Sequence, residues 1–353
     1  MDAFRELAFE KKDIDAFLVC NEKNLLYLTG TPGAFCLLIP RKGENTVYVF
    51  GNNYEQTKAE ARGFKVELIK AGEKLTERLT PILKAFKIEK LAVDTLSYDY
   101  YRLLVKGLRG RARLKVQGGL IWKLRKVKNE KELQLMRKAG KITSVGMQAA
   151  YETIRPGVTE IEVAAEIEHA MRKEGGWGTG FDTIVASGIR SAYPHGGCAN
   201  RKIGEGSLVV VDIGAIYEHY CSDMTRTIVA GKPSEKQERM YQIVKTAQEK
   251  ANQAIRAKAK AKDIDQIARR TIRDAGYEPF DHGLGHGVGL EIHEPPALAA
   301  TSEDRLVAGN VVTNEPGIYI PNFGGIRIED TVLVQEGKAE KLTKGPYTLE
   351  AEK

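Results

Sequence analysis

The sequence predicts an α+β protein of two domains. Its 353 residues are more than one ordinary core accommodates, so two domains are expected. Helical and strand patterns alternate along residues 1–122, which favours a smaller α/β domain with a mixed sheet flanked by helices. Residues 123–353 combine long helical segments, hairpin-forming strands and Gly-rich loops, which indicates a separate and larger domain.

Hydrophobic spacing and turn residues define the elements of the N-terminal domain. An amphipathic helix is predicted at Phe4–Lys12 and a buried strand at Ala16–Cys20, with a turn at Gly30–Gly33. No GxxxxGKS or GxGxxG pattern for binding phosphates occurs here, so no chemistry is assigned to this domain. Its other predicted elements are strands at Ala34–Ile39, Thr46–Phe50, Lys65–Ile69 and Lys90–Val93, and helices at Asn53–Arg62 and Lys74–Phe86.

Helix start and stop signals organise the C-terminal domain. A helix at Asn129–Ile154 would end before Pro156–Gly157, and Thr159 has capping-box spacing to Glu162 at the start of the next helix. Further predicted elements are a strand at Thr183–Ser187, two hairpins, and a long helix that starts at Ser234, is interrupted before Ile264 and runs to about Ala275.

The net charge of +7 and the pI of about 9.0 raise the hypothesis of nucleic-acid binding. Much of the excess lies in Arg102–Lys128, which holds ten basic residues and no acidic one. No zinc-finger or aromatic–basic RNA-binding signature accompanies this stretch. We therefore interpret it, together with Gly118–Gly119, as a solvated interdomain linker, and nucleic acid is an unfavoured partner.

Composition also indicates where the protein works. No apolar run approaches the roughly 18–20 residues that span a membrane, and the charged N-terminus is unlike a secretion signal. The four cysteines are far apart and show no CxxC spacing, which favours reduced thiols over a disulfide framework or a zinc ribbon. A cytoplasmic protein without membrane association is expected.

The stretch Val209–Thr227 predicts a hairpin that carries two acidic residues. Its strands would be Ser207–Gly214 and Tyr217–Val229, with a tight turn near Tyr217–Glu218. Symmetric pairing then sets Asp212 opposite Asp223, with Cβ atoms roughly 4.5–5.5 Å apart. Two carboxylates at that separation repel each other unless a cation or a shared proton lies between them. A pair of solvated aspartates is the alternative for this hairpin taken alone.

A second hairpin repeats the pattern. Val311–Val334 would turn near Asn322–Gly325, and pairing about Asn322 sets Glu315 opposite Glu329. Period-two alternation places Arg327 on the same face as Glu329 and directs Asp330 away from it.

Histidines accompany these carboxylates in two Gly-rich stretches. HGLGHGVGLEIHEPP carries His282, His286 and His293, and the glycines that flank His286 allow a close approach to a small site. The loop ASGIRSAYPHGG presents His195. Four carboxylates and one imidazole suit two bridged divalent cations about 3.5–4 Å apart, and the excess of oxygen ligands favours Mn²⁺ or a similar ion. Such a pair of ions supports hydrolysis.

These motifs resemble the superfamily of creatinase, prolidase and methionine aminopeptidase, whose catalytic domain has the pita-bread fold. The resemblance covers nearly the whole C-terminal domain, through DIGAIYEHYCSDMTRT, HGLGHGVGLEIHE, EPGIYIP and GGIRIED. The additional N-terminal domain, similar to that of creatinase, resembles the proline-specific branch. At the hairpin tips, His219 and Asn322 replace residues that are often glycine in the family.

The resemblance implies a role for each matching residue. Asp212, Asp223, His286, Glu315 and Glu329 would bind two metal ions, with Mn²⁺ favoured and Co²⁺, Zn²⁺ or Fe²⁺ as alternatives. Asp223 and Glu329 would bridge the two ions, and Glu315 would act as the general base. His195, His282 and His293 would line the substrate side, where His293 would stabilise the tetrahedral intermediate or move a proton. Arg327 and Tyr319 would orient the groups that hold the metals.

The resemblance further implies hydrolysis of the bond that precedes proline, and a homodimer. Compact length favours an Xaa-Pro dipeptidase (prolidase) over an Xaa-Pro aminopeptidase acting on longer peptides. Glu294–Thr301 carries no Arg or Lys that could hold the C-terminal carboxylate of a dipeptide, so this choice stays open. The alternative from another class is a non-catalytic relative that binds peptide or nucleic acid. The complete ligand set disfavours that alternative, and it equally disfavours a metal-free amidinohydrolase like creatinase.

Overall fold

The computed structural model of the protein describes residues 1–10 and 13–351. The chain divides into two compact units, Met1–Arg125 and Lys126–Lys353. Each unit combines helices with β-sheet, as the predicted α+β class requires. In the part of the chain that the structure describes, no helix is both long enough and apolar enough to cross a membrane.

The first unit is built on one mixed sheet of six strands in the order β4-β3-β2-β1-β5-β6. Strand β2 pairs antiparallel with β1 and β3, whereas β3/β4, β1/β5 and β5/β6 are parallel. The strands are β1 (Ala16–Val19), β2 (Cys36–Pro40), β3 (Thr46–Phe50), β4 (Lys65–Ile69), β5 (Lys90–Val93) and β6 (Arg113–Val116). Apolar side chains pack against both faces of this sheet, which explains the nearly continuous apolar runs of β1 and β2.

Among the described residues of this unit, six α-helices accompany the sheet: α1 (Asp2–Phe9), α2 (Glu22–Thr29), α3 (Tyr54–Glu60), α4 (Leu75–Ala85), α5 (Tyr98–Gly107) and α6 (Trp122–Arg125). The first was predicted at Phe4–Lys12, but it spans Asp2–Phe9, and Lys11 and Lys12 lie outside the described residues. The interpretation of Arg102–Lys128 as a linker is wrong for most of its length. That stretch contributes the end of α5, an edge strand and α6 to the folded unit.

Four long helices support the second unit: α7 (Glu130–Thr153), α8 (Glu160–Lys173), α9 (Glu235–Ala254) and α10 (Ala261–Asp274). The predicted capping box of α8 is present, because the Thr159 hydroxyl accepts from the Glu162 backbone N–H and the Glu162 carboxylate accepts from Thr159. Ser234 caps α9 in the same way. Each helix pair packs against β-strands and closes a large apolar core.

The strands of the second unit form several small sheets, which the structure orders as β12-β9-β8, β11-β10-β7, β14-β13-β15-β18-β19 and β16-β17. Helices α7 and α8 cover the β8/β9/β12 sheet, and α9 and α10 pack with strands that follow residue 280. This arrangement of helix pairs on sheets agrees with the pita-bread fold that the resemblance implies. The strands are β7 (Gly178–Thr179), β8 (Ile184–Ser187), β9 (Ser207–Ile213), β10 (Ala215–Tyr217), β11 (Tyr220–Cys221), β12 (Met224–Ala230), β13 (Gly285–Gly287), β14 (Glu294–Leu298), β15 (Val311–Asn314), β16 (Gly317–Ile320), β17 (Gly324–Arg327), β18 (Asp330–Leu333) and β19 (Glu340–Lys341).

The first hairpin corrects the predicted register. Asp212 lies opposite Thr225, and not opposite Asp223, because the turn is centred one residue later than predicted, at Glu218–His219. Both turn residues have positive φ angles, of 42° and 72°, as the two-residue turns of hairpins require. Asp223 therefore precedes β12, two residues before Thr225, and remains on the same side of the hairpin as Asp212.

The second hairpin keeps the predicted register. Gly317 pairs with Arg327 on one side of the break and Asn314 pairs with Asp330 on the other, so Glu315 lies level with Glu329. Pro316 provides no N–H at this point, and the regular ladder is interrupted there. Asn322 at the tip has a φ of 62°. Like His219, it adopts the left-handed conformation that glycine takes most easily, which explains the departure from the family pattern.

Candidate metal centre and peptide pocket

A pocket of about 660 Å³ in the second unit gathers the predicted site residues. Nine of the ten line it, namely His195, Asp212, Asp223, His282, His286, His293, Glu315, Arg327 and Glu329, and the tenth, Tyr319, lies behind the lining and contacts Arg327 and His282. They come from both hairpins, from the Gly-rich stretch around β13 and from the loop after β8. Residues that are far apart in the sequence therefore converge on one cavity.

The centre of the pocket is a compact group of possible metal ligands. One ligand atom from each of Asp223, His286 and Glu329 lies within 4.8 Å of the others. The Nε2 atom of His286 is 3.5 Å from an oxygen of Asp223 and 3.5 Å from an oxygen of Glu315. The His286 imidazole thus faces carboxylates from both hairpins.

Several buried oxygens in this group have no hydrogen-bond partner among the described residues. They are Oδ1 of Asp212, Oδ1 of Asp223 and Oε1 of Glu329. A buried carboxylate oxygen without a donor is costly, and such oxygens belong at sites where a cation supplies the missing interaction. The donor set of four carboxylates and one imidazole therefore fits divalent cations.

The electrostatics of these side chains support the same interpretation. Burial, followed by repulsion from Glu329 and Asp212, raises the pKa of Asp223 well above its usual range. Burial, followed by repulsion from Glu315 and Asp212, also raises the pKa of Glu329 well above its usual range. Burial also raises the pKa of Glu315 to about 8, against an opposing effect of Arg327. Without a positive charge between them, these carboxyls resist sharing the site as anions.

Arg327 fixes the position of Asp212. Its Nη2 donates to Oδ2 of Asp212 at 2.6 Å, Nη1 donates to the Tyr319 hydroxyl at 2.9 Å, and Nε donates to the Thr225 hydroxyl at 3.1 Å. Burial alone would lower the pKa of Arg327, but the surrounding Tyr319 and carboxyl groups raise it well above its usual value, so the guanidinium stays charged. Asp330 points away from the pocket, as predicted, and pairs with Arg226 at 2.9 Å.

Three histidines surround the carboxylate group. The His282 Nε2 is 3.0 Å from the Tyr319 hydroxyl, and burial lowers the pKa of His282 to about 4. The ring of His293 packs edge-on against that of His286, with centroids 4.3 Å apart. Burial and the neighbouring His195 lower the pKa of His293. His282 and His293 are therefore neutral at pH 7, and each can both donate and accept a hydrogen bond.

The two hairpins are joined by residues that sequence reasoning missed. The Thr225 hydroxyl donates to Oε2 of Glu329 at 2.6 Å, and the Glu329 N–H donates to the Thr225 carbonyl at 3.0 Å. Within the second hairpin, the Thr313 hydroxyl donates to Glu315 at 3.2 Å. Alternation along the strands could have identified both threonines, because each lies two residues from a carboxylate that the sequence had singled out.

The pocket walls contain further residues without a predicted role. Phe181, Ile184 and Ile292 supply apolar surface, and Asp182 adds an exposed carboxylate outside the ligand group. The apolar residues have the character of ordinary core positions, so the sequence alone offered no signal for them. Such surface suits the side chains of a short peptide.

A buried group of carboxylates and imidazole in an open, partly apolar pocket defines the class of metal-dependent hydrolases. The chain belongs to metallopeptidase family M24, whose model matches residues 134–336. The model of the creatinase/prolidase N-terminal domain matches residues 2–127. The expected superfamily and fold are thus confirmed, and membership of a metallopeptidase family implies divalent metal ions.

Known relatives cover nearly the whole chain. An Xaa-Pro dipeptidase from Pyrococcus horikoshii is 42% identical over 95% of this chain and 94% of its own length. The solved structure of an Xaa-Pro dipeptidase from Bacillus anthracis matches with a TM-score of 0.93 and 37% identity, over 99% of this chain and 98% of that one. An X-Pro aminopeptidase from Thermotoga maritima matches with a TM-score of 0.87 and 36% identity, over 95% and 97% of the two chains.

Proposed function

We propose that the protein is an Xaa-Pro dipeptidase that hydrolyses the peptide bond before proline. The observation that carries this proposal is the convergence of five ligand side chains around buried oxygens that lack donors, inside a pocket with apolar walls. Relatives named as Xaa-Pro dipeptidases, which match both domains, supply the substrate class. Substrates are then dipeptides, or short peptides, with proline in second position.

The ligand set of this proposal is Asp212, Asp223, His286, Glu315 and Glu329, which would hold two divalent ions. Carboxylate oxygens outnumber nitrogen, and thiolates are absent from the described lining, so Mn²⁺ is the favoured ion and Co²⁺, Zn²⁺ or Fe²⁺ are alternatives. Bound there, the ions would supply Lewis acidity that activates water and polarises the scissile carbonyl.

The protein's own side chains would complete the reaction. Glu315 is the proposed general base, because it is buried in the pocket and can take a proton once cations hold the surrounding carboxylates as anions. Neutral His293 would donate a hydrogen bond to the oxygen that gains charge in the transition state. His195 and His282 would contact the peptide, and the hydrogen bond from Tyr319 orients His282. Arg327 would keep Asp212 aligned.

An Xaa-Pro aminopeptidase is the second candidate, and the pocket wall favours it on one point. Arg327 is the one Lys or Arg among the described lining residues, and it is occupied by Asp212 and Tyr319. The wall after His293 presents the small residues Ala297 and Ala299. A substrate that continues beyond proline would meet little obstruction there, and the relative from Thermotoga maritima carries the aminopeptidase name.

The test is release of the first residue from purified protein loaded with Mn²⁺ or Co²⁺. Leu-Pro should be hydrolysed and Leu-Ala should not, because proline specificity is part of the proposal. Folded, metal-loaded protein that leaves Leu-Pro and Leu-Pro-Gly intact would overturn it in favour of a non-catalytic binding protein. Comparing Leu-Pro with Leu-Pro-Gly and Leu-Pro-amide then separates a dipeptidase, which needs the free carboxylate, from an aminopeptidase.

Location and assembly are part of the proposal. All four cysteines carry free thiols, which supports a reducing compartment such as the cytoplasm. A homodimer follows from the family resemblance, and analytical ultracentrifugation of the full chain tests it. A single species with the mass of one 39.1 kDa chain would contradict the dimer.

A further inference from the structure

A fully buried carboxylate outside the ligand group holds the loop that carries His195. Glu160 is the first residue of α8, and its side chain is 0% exposed. Oε1 accepts from the backbone N–H of Ser187 at 2.8 Å and from the Ser187 hydroxyl at 2.7 Å. Oε2 accepts from the backbone N–H of Ala199 at 2.9 Å. One side chain therefore joins the beginning and the end of the segment 187–199.

Arg190 extends this connection to the middle of the segment. Its Nη1 donates to Oε2 of Glu160, and its Nη2 donates to the backbone carbonyl of Gly196. Gly196 follows His195 directly, so the guanidinium bridges the buried carboxylate and the residue next to the imidazole. A planar guanidinium can make both contacts at once, whereas a lysine ammonium offers one nitrogen.

The segment that Glu160 holds reaches the pocket. Pro194, His195 and Gly197 line the cavity. His195 is exposed, so its own packing does little to fix it. We propose that Glu160 is a positioning residue for His195. Glu160 acts through Arg190 and keeps the His195 imidazole directed towards the peptide. This inference rests on the proposed function for its kinetic consequence, but the structural consequence for segment 187–199 does not depend on it.

The negative charge of Glu160 is what the arrangement needs. Four donors converge on its two oxygens, and one of them is a cation. Glutamine has the same shape but only one acceptor oxygen, and its amide N–H₂ would face donors. Glu160→Gln should therefore release one end of the segment and leave the charge of Arg190 without its anion, while α8 keeps its Thr159 cap.

The experiment compares Glu160→Gln and Arg190→Lys with the control Arg201→Gln. Arg201 lies 3.9 Å from the same carboxylate, and its side chain is 42% exposed, but no hydrogen bond links it to Gly196. We expect each of the first two variants to lower kcat/KM for Leu-Pro by about tenfold to 100-fold, since a small misplacement of a substrate-contacting group has effects of that size. Metal content should be unchanged, and the control should stay within about twofold of the wild type.

A double-mutant cycle separates positioning from general destabilisation. If Glu160 acts through His195, Glu160→Gln combined with His195→Ala should be no slower than His195→Ala alone. Amide hydrogen exchange should accelerate in residues 187–199 of both variants and remain unchanged in α9. Additive losses in the double mutant, or unaltered exchange in residues 187–199, would overturn the proposal. If wild-type protein fails to cleave Leu-Pro, the proposed function fails, and the exchange data still decide whether Glu160 positions this segment.

Discussion

The guanidinium of Arg327 lies 2.6 Å from Oδ2 of Asp212, while Oδ1 of the same aspartate has no hydrogen-bond partner among the described residues. One carboxylate oxygen is thus held by a fixed cation, and the other is left for a ligand in the pocket. Oδ2 of Asp212 therefore serves to orient the carboxylate, and Oδ1 remains available to bind a ligand.

Arg327→Lys should weaken metal binding and activity by about 10- to 100-fold, because partners that orient metal ligands have effects of that order. A lysine cannot contact Asp212, Tyr319 and Thr225 together. Isothermal titration with Mn²⁺ and kinetics on Leu-Pro measure the two losses. Tyr319→Phe is the matched control, since it removes one hydroxyl of the same network and should cost less. Equal affinity for Mn²⁺ in Arg327→Lys and the wild type would contradict the orienting role.

Asp223→Asn and Glu329→Gln should each abolish activity and remove bound metal, because each carboxylate would bridge both ions. Elemental analysis of the purified variants provides the measurement. Asp182→Asn is the control, because Asp182 lines the same pocket but lies outside the ligand group. Two ions per chain in either bridging variant would show that the assignment is wrong.

His293→Ala should retain metal but lower kcat by about 100-fold or more, the size of effect seen when a donor to a developing oxyanion is removed. KM should change less than kcat. His169→Ala, an exposed histidine on α8, should leave both constants unaltered. An unchanged kcat in His293→Ala would leave this residue a purely structural role.

Metal loading should release protons at pH 7. Burial raises the pKa of Glu315 to about 8, so this group holds a proton at pH 7 until cations displace it. Burial and repulsion between carboxyls also raise the pKa of Asp223 and of Glu329, in the same direction. The apparent affinity should therefore rise as the pH increases towards 8. Calorimetry in phosphate and in Tris should give binding enthalpies that differ by the ionisation enthalpies of the buffers. Identical enthalpies in the two buffers would rule out proton release.

Gly214→Ala should destabilise the fold by about 1–3 kcal/mol and weaken metal binding, because its new Cβ would lie 2.1 Å from the Ser222 carbonyl oxygen. Relief of that contact pushes the hairpin apart between Asp212 and Asp223. Gly178→Ala is the control in the neighbouring strand, where the nearest atom would be 4.0 Å away. Urea unfolding and Mn²⁺ titration of both variants test this, and wild-type values for Gly214→Ala would contradict it.

Residue type and period-two alternation were enough to predict that the carboxylates of the two hairpins meet, whereas the resemblance to a known family supplied the places of His195, His282 and His293. Residue type and alternation were not enough to set the register of the first hairpin, because Glu218 and His219 adopt left-handed conformations without the Asn-Gly or Asp-Gly signal that marks such turns. The predicted face of the hairpin was still correct, because a shift of two positions in the pairing keeps Asp212 and Asp223 on the same face. Alternation along a strand thus predicts which face of the sheet a side chain lies on more reliably than which residue it pairs with on the next strand.

Glu160 could not have been found in the same way. An acidic residue in the first turn of a helix ordinarily interacts with the helix dipole, and the sequence has many such residues. Its partners Ser187, Arg190 and Ala199 follow in a different segment, and only the folded chain brings them to one carboxylate. The basic stretch Arg102–Lys128 was misjudged for another reason. Its ten basic residues indicated a solvated run, but apolar residues between them, among them Leu104, Leu108 and Ile121, are buried in the folded unit.

The hydrogen bonds between Thr225 and Glu329 have a consequence for how the enzyme acquires its ions. Asp223 belongs to one hairpin and Glu329 to the other, so neither hairpin alone offers the pair of carboxylates proposed to bridge the ions. The two must dock, through Thr225 and its neighbour Thr227, before both carboxylates face the same point. A chain in which the two hairpins have not yet docked therefore lacks the three-residue ligand group of Asp223, His286 and Glu329, and we expect high-affinity metal binding only once this part of the fold has formed.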